Sequence, residues 1–362
     1  MMSTPAFVQP TPSSPSPALP ASWLDDHCDP AVARAAWLFR HSLRAGEIHP
    51  AQHLIQRYRA LEGVLHVPPP PRQGPACTAH AAIDAAALER GVGDLPALPQ
   101  VVLELMALMQ DEGLHSADFA ARIECDQALV ARTLRLANSP FYGVAGRVGT
   151  MRDAVQVLGM GVVSSLLTTV AVSGQFSGVA CAGFDFPGFW KHALATGIAA
   201  RTLARTLRMD THLAFAAGLL HDIGRLVLAA RFPAEQAAAI RCERDADRPV
   251  LDAEFDAMAC DHTTVGTIVA RHWHFPAAVV DAIQRHHLPA AAAAGSAPSL
   301  TDVVHVADAL VHGLDLLHAP HESVPIVDIT AWSRVALTPD QYMSILEQTE
   351  QGVEALCEAL AL

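Results

Sequence analysis

Apolar residues along this chain recur at intervals of three and four, and one stretch is apolar almost throughout. From Ala214 to Ala230 nearly every position is Ala, Leu, Ile, Val or Phe, yet His221 and Asp222 stand side by side at its centre. The pattern predicts a helix over 211–231 that is buried nearly all round. Other segments carry the stripe of helices that bury one face. Asp29-Pro30 opens a helix through Arg44, and a second runs from Pro50 to about Leu65. Val101, Val102, Leu105, Met106, Leu108 and Met109 form a stripe. Ser116 caps the next helix, and Asp126 caps another carrying Leu129, Val130, Leu134 and Leu136. Thr150 and Asp153 make a start like a capping box for a helix ending near Gly159. Further helices are predicted over 187–208, 233–245, 249–260, 262–273, 276–287 and 299–317, with a last one from Pro339 to about Leu360. No alternating run of β-branched residues flanked by hairpin turns stands out, and no fixed-period repeat. The fold class is all-α, a multi-helix two-lobed bundle.

Ala154 to Phe184 contains no charged residue and is long enough in principle to cross a bilayer. Gln156, Ser164, Ser165, Thr168, Thr169, Ser173, Gln175 and several glycines interrupt it, and its basic flanks are weak. A buried helix near Val162–Val172 followed by a Gly/Ser loop is expected instead, and no membrane span.

The same reading divides the chain. Residues 1–26 are rich in Pro and Ser, lack the layout of a signal peptide, and read as a disordered tail. Residues 27–66 form a small helical appendage, and 67–92 a linker and connecting helix in which Pro68 through Pro71 add stiffness. The main domain spans 93–320, with lobes about 93–180 and 185–320, and 321–362 is a C-terminal helical extension.

Composition supports the helical assignment. The 362 residues are 51% hydrophobic and only 17% charged, and Ala and Leu favour closely packed helices. A formal net charge of −13 with no Lys/Arg cluster gives no electrostatic footprint for nucleic acid, so none is expected as a partner. Arg132, Arg135, Arg147 and Arg152 come nearest to a basic patch and read as solvated surface. The seven cysteines are odd in number and form no CxxC pair, which speaks against a disulfide framework or a zinc knuckle and fits a reducing cytoplasm. The 19 histidines favour a metal or proton-handling site.

Asp222 is where the chemistry enters. A carboxylate in such surroundings is strongly disfavoured unless a cation, metal or donor meets it. Asp308 repeats the problem in Val303-Val304-His305-Val306-Ala307-Asp308-Ala309-Leu310. His192, the His221-Asp222 pair, His262, the His286-His287 pair and Asp308 follow in order. Histidines and carboxylates brought together from several helices are how a bundle holds a metal in its core. Each piece also has a plain structural reading. His262 caps or bonds locally; one of His286 and His287 faces solvent, because adjacent helical positions point about 100° apart. Asn138 ends a helix or bonds the following loop, His272 and His274 are surface or packing residues, and Gly218 and Gly224 allow close helix approach and a helix end near the His221-Asp222 doublet.

Four stretches carry a family resemblance: Leu95-Pro96-Ala97-Leu98-Pro99; Leu134-Arg135-Leu136-Ala137-Asn138-Ser139; Ala217-Gly218-Leu219-Leu220-His221-Asp222-Ile223-Gly224; and Asp261-His262-Thr263-Thr264-Val265-Gly266, leading to Trp273. Together they resemble the HDOD family, the HD-related output domains, over roughly 93–290, with an HD-domain-like fold. The resemblance implies that His192, His221, Asp222 and Asp308 match the metal-ligand positions of the HD superfamily. His262, His286 and His287 then match the extra histidines of its multi-metal HD-GYP branch. The implied cofactor is a divalent transition metal (Fe, Mn, Ni or Zn) or Mg, with an ion-free site as the other outcome. This chain also departs from the catalytic pattern. Arg225 replaces the lysine usual after His-Asp-Ile-Gly in HD-GYP enzymes, and Leu288-Pro289 follows the histidine pair in place of their signature. The departures favour a regulatory signalling module of bacterial type that acts in the cytoplasm through protein–protein contact, without confident catalytic residues. The competing reading is a metal-dependent phosphohydrolase acting on a nucleotide or cyclic dinucleotide. The signalling partner and oligomeric state are not legible in the sequence.

Overall fold

The computed structural model describes residues 82–95, 127–138, 148–160, 178–290, 296–317 and 321–360, with isolated residues between 38 and 58 and between 119 and 176. Helices account for the regular structure among them. They are α1 (Ala85–Gly93), α2 (Gln127–Ala137), α3 (Met151–Leu158), α4 (Phe186–Leu207), α5 (Thr211–Leu220), α6 (Ile223–Arg231) and α7 (Pro233–Asp245). There follow α8 (Val250–Met258), α9 (His262–His272), α10 (Ala277–Arg285), α11 (Leu300–Leu314), α12 (Ile329–Val335) and α13 (Pro339–Leu360). The expected tail, most of the appendage, the Pro-rich linker, the 101–109 stripe and the caps at Ser116 and Asp126 lie outside the described residues.

Side-chain caps set most of the starts. Asp185 accepts from Gly188 N, Asp210 from His212 N and Leu213 N, Asp261 from Thr264 N, and Thr150 from Asp153 N. Ser299 and Asp302 form a reciprocal capping box at α11. Asn138 closes α2 as expected: its amide donates to Leu134 O at 2.7 Å and Val148 O at 2.9 Å, and its carbonyl accepts from Val148 N at 2.8 Å.

The apolar stretch 211–231 is not one helix. α5 stops at Leu220 and α6 starts at Ile223, with Asp222 at φ −98° and ψ 12° between them. Uniform apolarity hides such a break, because no change of face marks it. Most of the stretch is buried inside the bundle.

Small residues let the helices meet around this break. α5 packs on α4, α11 crosses both, α13 lies along α4, and α6 packs on α9, which also contacts α10 and α1. A Cβ on Gly218 would lie 2.7 Å from Thr196 O on α4. One on Gly224 would lie 1.9 Å from His262 O and 2.7 Å from Gly266 N on α9. Both glycines therefore serve close approach, which brings the ends of α5 and α6 against α4 and α9.

Part of the appendage region is described, and it is joined to the bundle. Arg40 pairs with Asp247 at 2.8 Å and donates to the carbonyls of Glu322 at 2.8 Å and His321 at 3.3 Å, while Val324 N donates to Leu38 O at 2.7 Å. Cys181, Cys260 and Cys357 are free, but Cys242 is disulfide-bonded, so the cysteine pattern does not by itself argue for a reducing compartment.

Candidate metal centre

Two of the candidate histidines occupy the same local position on different helices. His221 follows the last residue of α5, and His286 the last residue of α10. Each ring folds back so that Nδ1 donates to the carbonyl three residues earlier, His221 to Gly218 O at 2.7 Å and His286 to Ile283 O at 2.9 Å. Carbonyls at a helix end lack a partner within the helix, and these rings supply one. A carbonyl only accepts, so Nδ1 carries the proton and a neutral ring presents a bare lone pair at Nε2. Both Nε2 atoms then point inward, towards Asp308 and Asp222.

The remaining groups arrive from α4, α6, α9 and α11. His192 Nε2 lies 3.3 Å from His221 Nε2 and 3.1 Å from Asp308 Oδ1. His221 Nε2 is 3.4 Å from Asp308 Oδ1 and 3.7 Å from Asp222 Oδ1. On the other side of Asp222, its Oδ1 is 3.1 Å from His262 Nε2 and 3.5 Å from His286 Nε2. His287 Nε2 is 3.1 Å from His262 Nε2. Asp222 thus stands between two groups: Asp222 with His262, His286 and His287, and Asp222 with His192 and His221.

Two expectations change here. His262 is no local cap, since Asp261 caps α9; the His262 ring is fully buried and faces Asp222. Nor does either of His286 and His287 face solvent, since both are buried. The rule of 100° per residue applies inside a helix, but α10 ends at Arg285 and both rings lie on the turn beyond it. His272 and His274 are exposed, as expected.

Several supporting groups escaped the sequence reading. Glu254 on α8 accepts through one oxygen from both His262 N at 2.8 Å and His262 Nδ1 at 2.7 Å. Asp252 and Asp256 flank it two residues to either side, so nothing in the sequence singled it out. His312, one turn after Asp308 on α11, places Nε2 3.4 Å from Asp308 Oδ1, and its Nδ1 is bonded by Glu322. Helical spacing could have found His312; Glu322 comes from a loop and leaves no such signal. His305 holds the turn beyond α10, donating from Nδ1 to His286 O at 2.5 Å and accepting at Nε2 from Asp328 N at 2.8 Å.

Electrostatics follow this geometry. Burial works against the charge of Asp222, but His221, His262 and His286 outweigh it and hold the carboxyl well below its usual range. For Asp308 burial is outweighed by His312, His192 and His221. His262 is held well above the usual imidazole value by Glu254 and Asp222 against the cost of burial, and His312 likewise by Asp308 and Glu322. Burial together with the neighbouring histidines pushes His287 well down. Arg225 reaches Asp222 Oδ2 at 3.5 Å and Glu243 at 3.9 Å.

This donor set fits a divalent cation. Asp308 Oδ1 is buried and accepts no hydrogen bond, although three imidazole nitrogens lie within 3.4 Å of it. Asp222, Asp308, Glu254, Glu322 and Glu243 gather around the centre with Arg225, and the positive charge that His221, His262 and His312 take up by holding protons is charge that bound cations could supply in their place. Fixed Nδ1 partners with Nε2 turned inward are the outer support that metal-ligating histidines use.

Comparison with known proteins agrees with the all-helical fold and the family resemblance. The chain is 28% identical over 257 residues to an uncharacterised protein of Treponema pallidum (strain Nichols), covering 70% of this chain and 44% of that one. It therefore spans under half the length of that relative. A solved structure from Shewanella amazonensis SB2B, provisionally described as a phosphohydrolase, is 27% identical with a TM-score of 0.59, covering 76% of this chain and 98% of that one. An HDOD domain protein of unknown function from Geobacter sulfurreducens has 21% identity and a TM-score of 0.63, covering 77% of this chain and all (100%) of that one. That likeness speaks for the fold alone. The HDOD domain family matches residues 95–289, more than half of the sequence, and the chain belongs to the HDOD-domain family.

Proposed function

We propose that this chain is a cytoplasmic HDOD-type regulatory module in which bound divalent ions fix the packing of the helices that carry the site, and that it acts by contact with a signalling protein. His192, His221, Asp222 and Asp308 would hold one ion and Asp222, His262, His286 and His287 a second. The observation that carries the reading is Asp308 Oδ1, a buried carboxylate oxygen surrounded by imidazole nitrogens without a hydrogen bond. The imidazole-rich set favours iron, nickel or zinc over magnesium, which prefers oxygen and water. Ions in these positions tie α4, α5, α9, α10 and α11 together, so a change in metal state alters the surface those helices present.

A second reading, a metal-dependent phosphohydrolase, is favoured by the placing of Asp222 between both groups. A metal pair of this kind would polarise a phosphoryl oxygen and supply a bound water as nucleophile. For that reading Arg225, partly exposed beside Asp222, would bind the phosphate anion.

Elemental analysis of the untagged protein, with a screen against cyclic dinucleotides and nucleotides, separates the outcomes. The regulatory reading expects about two transition-metal ions per chain and no efficient turnover. Efficient hydrolysis that is lost in Asp222→Ala would replace it with the second reading, and protein that takes up no metal would remove both.

A further inference from the structure

His312 belongs to none of the ligand sets read from the sequence, and its surroundings are those of a ligand. It stands one helical turn beyond Asp308, with Nε2 3.4 Å from Asp308 Oδ1. Its ring centroid is 4.5 Å from that of His192, whose Nε2 is 3.1 Å from the same carboxylate oxygen. Glu322 bonds Nδ1, which turns the other nitrogen inward. His192, Asp308 and His312 can place one ligand atom each within 4.8 Å of one another. The Asp308 side chain is 2% exposed, and its Oδ1, at their focus, accepts no hydrogen bond, a costly arrangement unless a cation lies there.

We propose that His192, Asp308 and His312 form an outer position for a divalent transition metal, next to the inner pair and fed from solution. The proposal rests on the metal-holding reading above. One Nε2 lone pair binds one ion, so His192 serves either the inner position with His221 and Asp222 or the outer one with His312. The side chains of His192 and His312 are 13% and 18% exposed, whereas His262 and His286 are 0%. The outer position is therefore the end that solvent reaches, and an ion exchanges there before it reaches the inner tetrad. Glu322 is a positioning residue that sets the His312 ring.

Cobalt(II) tests this on the full chain. Each imidazole that ligates cobalt through Nε2 gives one strongly shifted, exchangeable Nδ1–H proton resonance. His312→Gln should remove one such resonance as the protein is titrated with cobalt, and weaken the most loosely held cobalt at least about tenfold. The resonances of the inner histidines should persist. Glu322→Gln keeps an acceptor on Nδ1, so it should retain that resonance but move it. The spectrum of the Glu322→Gln variant also decides the matter should His312→Gln fail to fold. If His312→Gln keeps every shifted resonance, or Glu322→Gln moves none, the outer position is overturned while the inner metal centre stands. Wild-type protein that binds no cobalt overturns the metal-holding reading and this one together.

Discussion

Glu254 is 1% exposed, and one of its oxygens receives both the backbone N–H and the Nδ1–H of His262. That pair of bonds fixes the ring whose Nε2 faces Asp222. Glu254→Ala frees the ring and leaves two donors unpaired in the core, so metal affinity should fall roughly 10–100-fold. Competition titration against a chelator measures it, and an unchanged affinity would mean that His262 is no ligand. Asp302 on α11 illustrates a purely structural pair. Burial raises its carboxyl, but Arg334 and Ser299 outweigh this and hold it below the usual carboxylate value. A depressed folded value gives stability that is present above the unfolded value of about 3.9 and is lost as pH falls through the folded one. Arg334→Met should therefore cost about 2 kcal/mol at neutral pH. The gap from wild type should close as Asp302 protonates, which chemical denaturation at neutral and strongly acidic pH would follow.

Among the elements, the crossing of α6 and α9 sets the centre most directly, and it depends on Gly224. A methyl group there would collide with His262 O at 1.9 Å, so Gly224→Ala must push α9 and its histidine away from Asp222. We expect a loss of about 3 kcal/mol or failure to fold, together with loss of metal from whatever protein folds. Gly93 has nothing within 4 Å of its would-be Cβ, so Gly93→Ala should change stability by under about 1 kcal/mol. Melting temperature and metal content of the two variants make the comparison. Local chemistry explains why helices such as α7 and α13 were legible: Pro233 and Pro339 open them. The break between α5 and α6 was legible only in part: Gly218 and Gly224 allow a helix end near the doublet, but an all-apolar stretch shows no face on which a kink could register, and it read as one helix over 211–231. The glycines that allow close approach were legible as such, but not which helix each of them meets.

At the scale of the whole molecule, the candidate metal centre is a charge balance shared by helices distant in sequence. The order His192, His221-Asp222, Asp308 was readable, since a buried carboxylate must find a partner. The supports Glu254 and Glu322 were not, because tertiary packing alone brings them to the histidines. Without metal, protons must do the balancing. His221, His262 and His312 have folded values raised by the carboxylates around them, so the stability they give is full below the unfolded value of about 6.5 and is lost as pH rises through their folded values. Burial lowers His192, His286 and His287, so those residues remove stability as pH falls below about 6.5. Ion-free protein should therefore be most stable near pH 6.5 and weaken on the alkaline side. Bound metal replaces those protons, and its affinity grows as pH rises and the competing protons leave. Saturation at about 100 times the dissociation constant adds roughly 2.7 kcal/mol. The melting temperatures of metal-loaded and chelator-stripped protein should thus diverge between about pH 6 and 8. Parallel curves over that range would mean that no ion exchanges with those imidazole protons, and the carboxylates would then have to be balanced by the histidines alone.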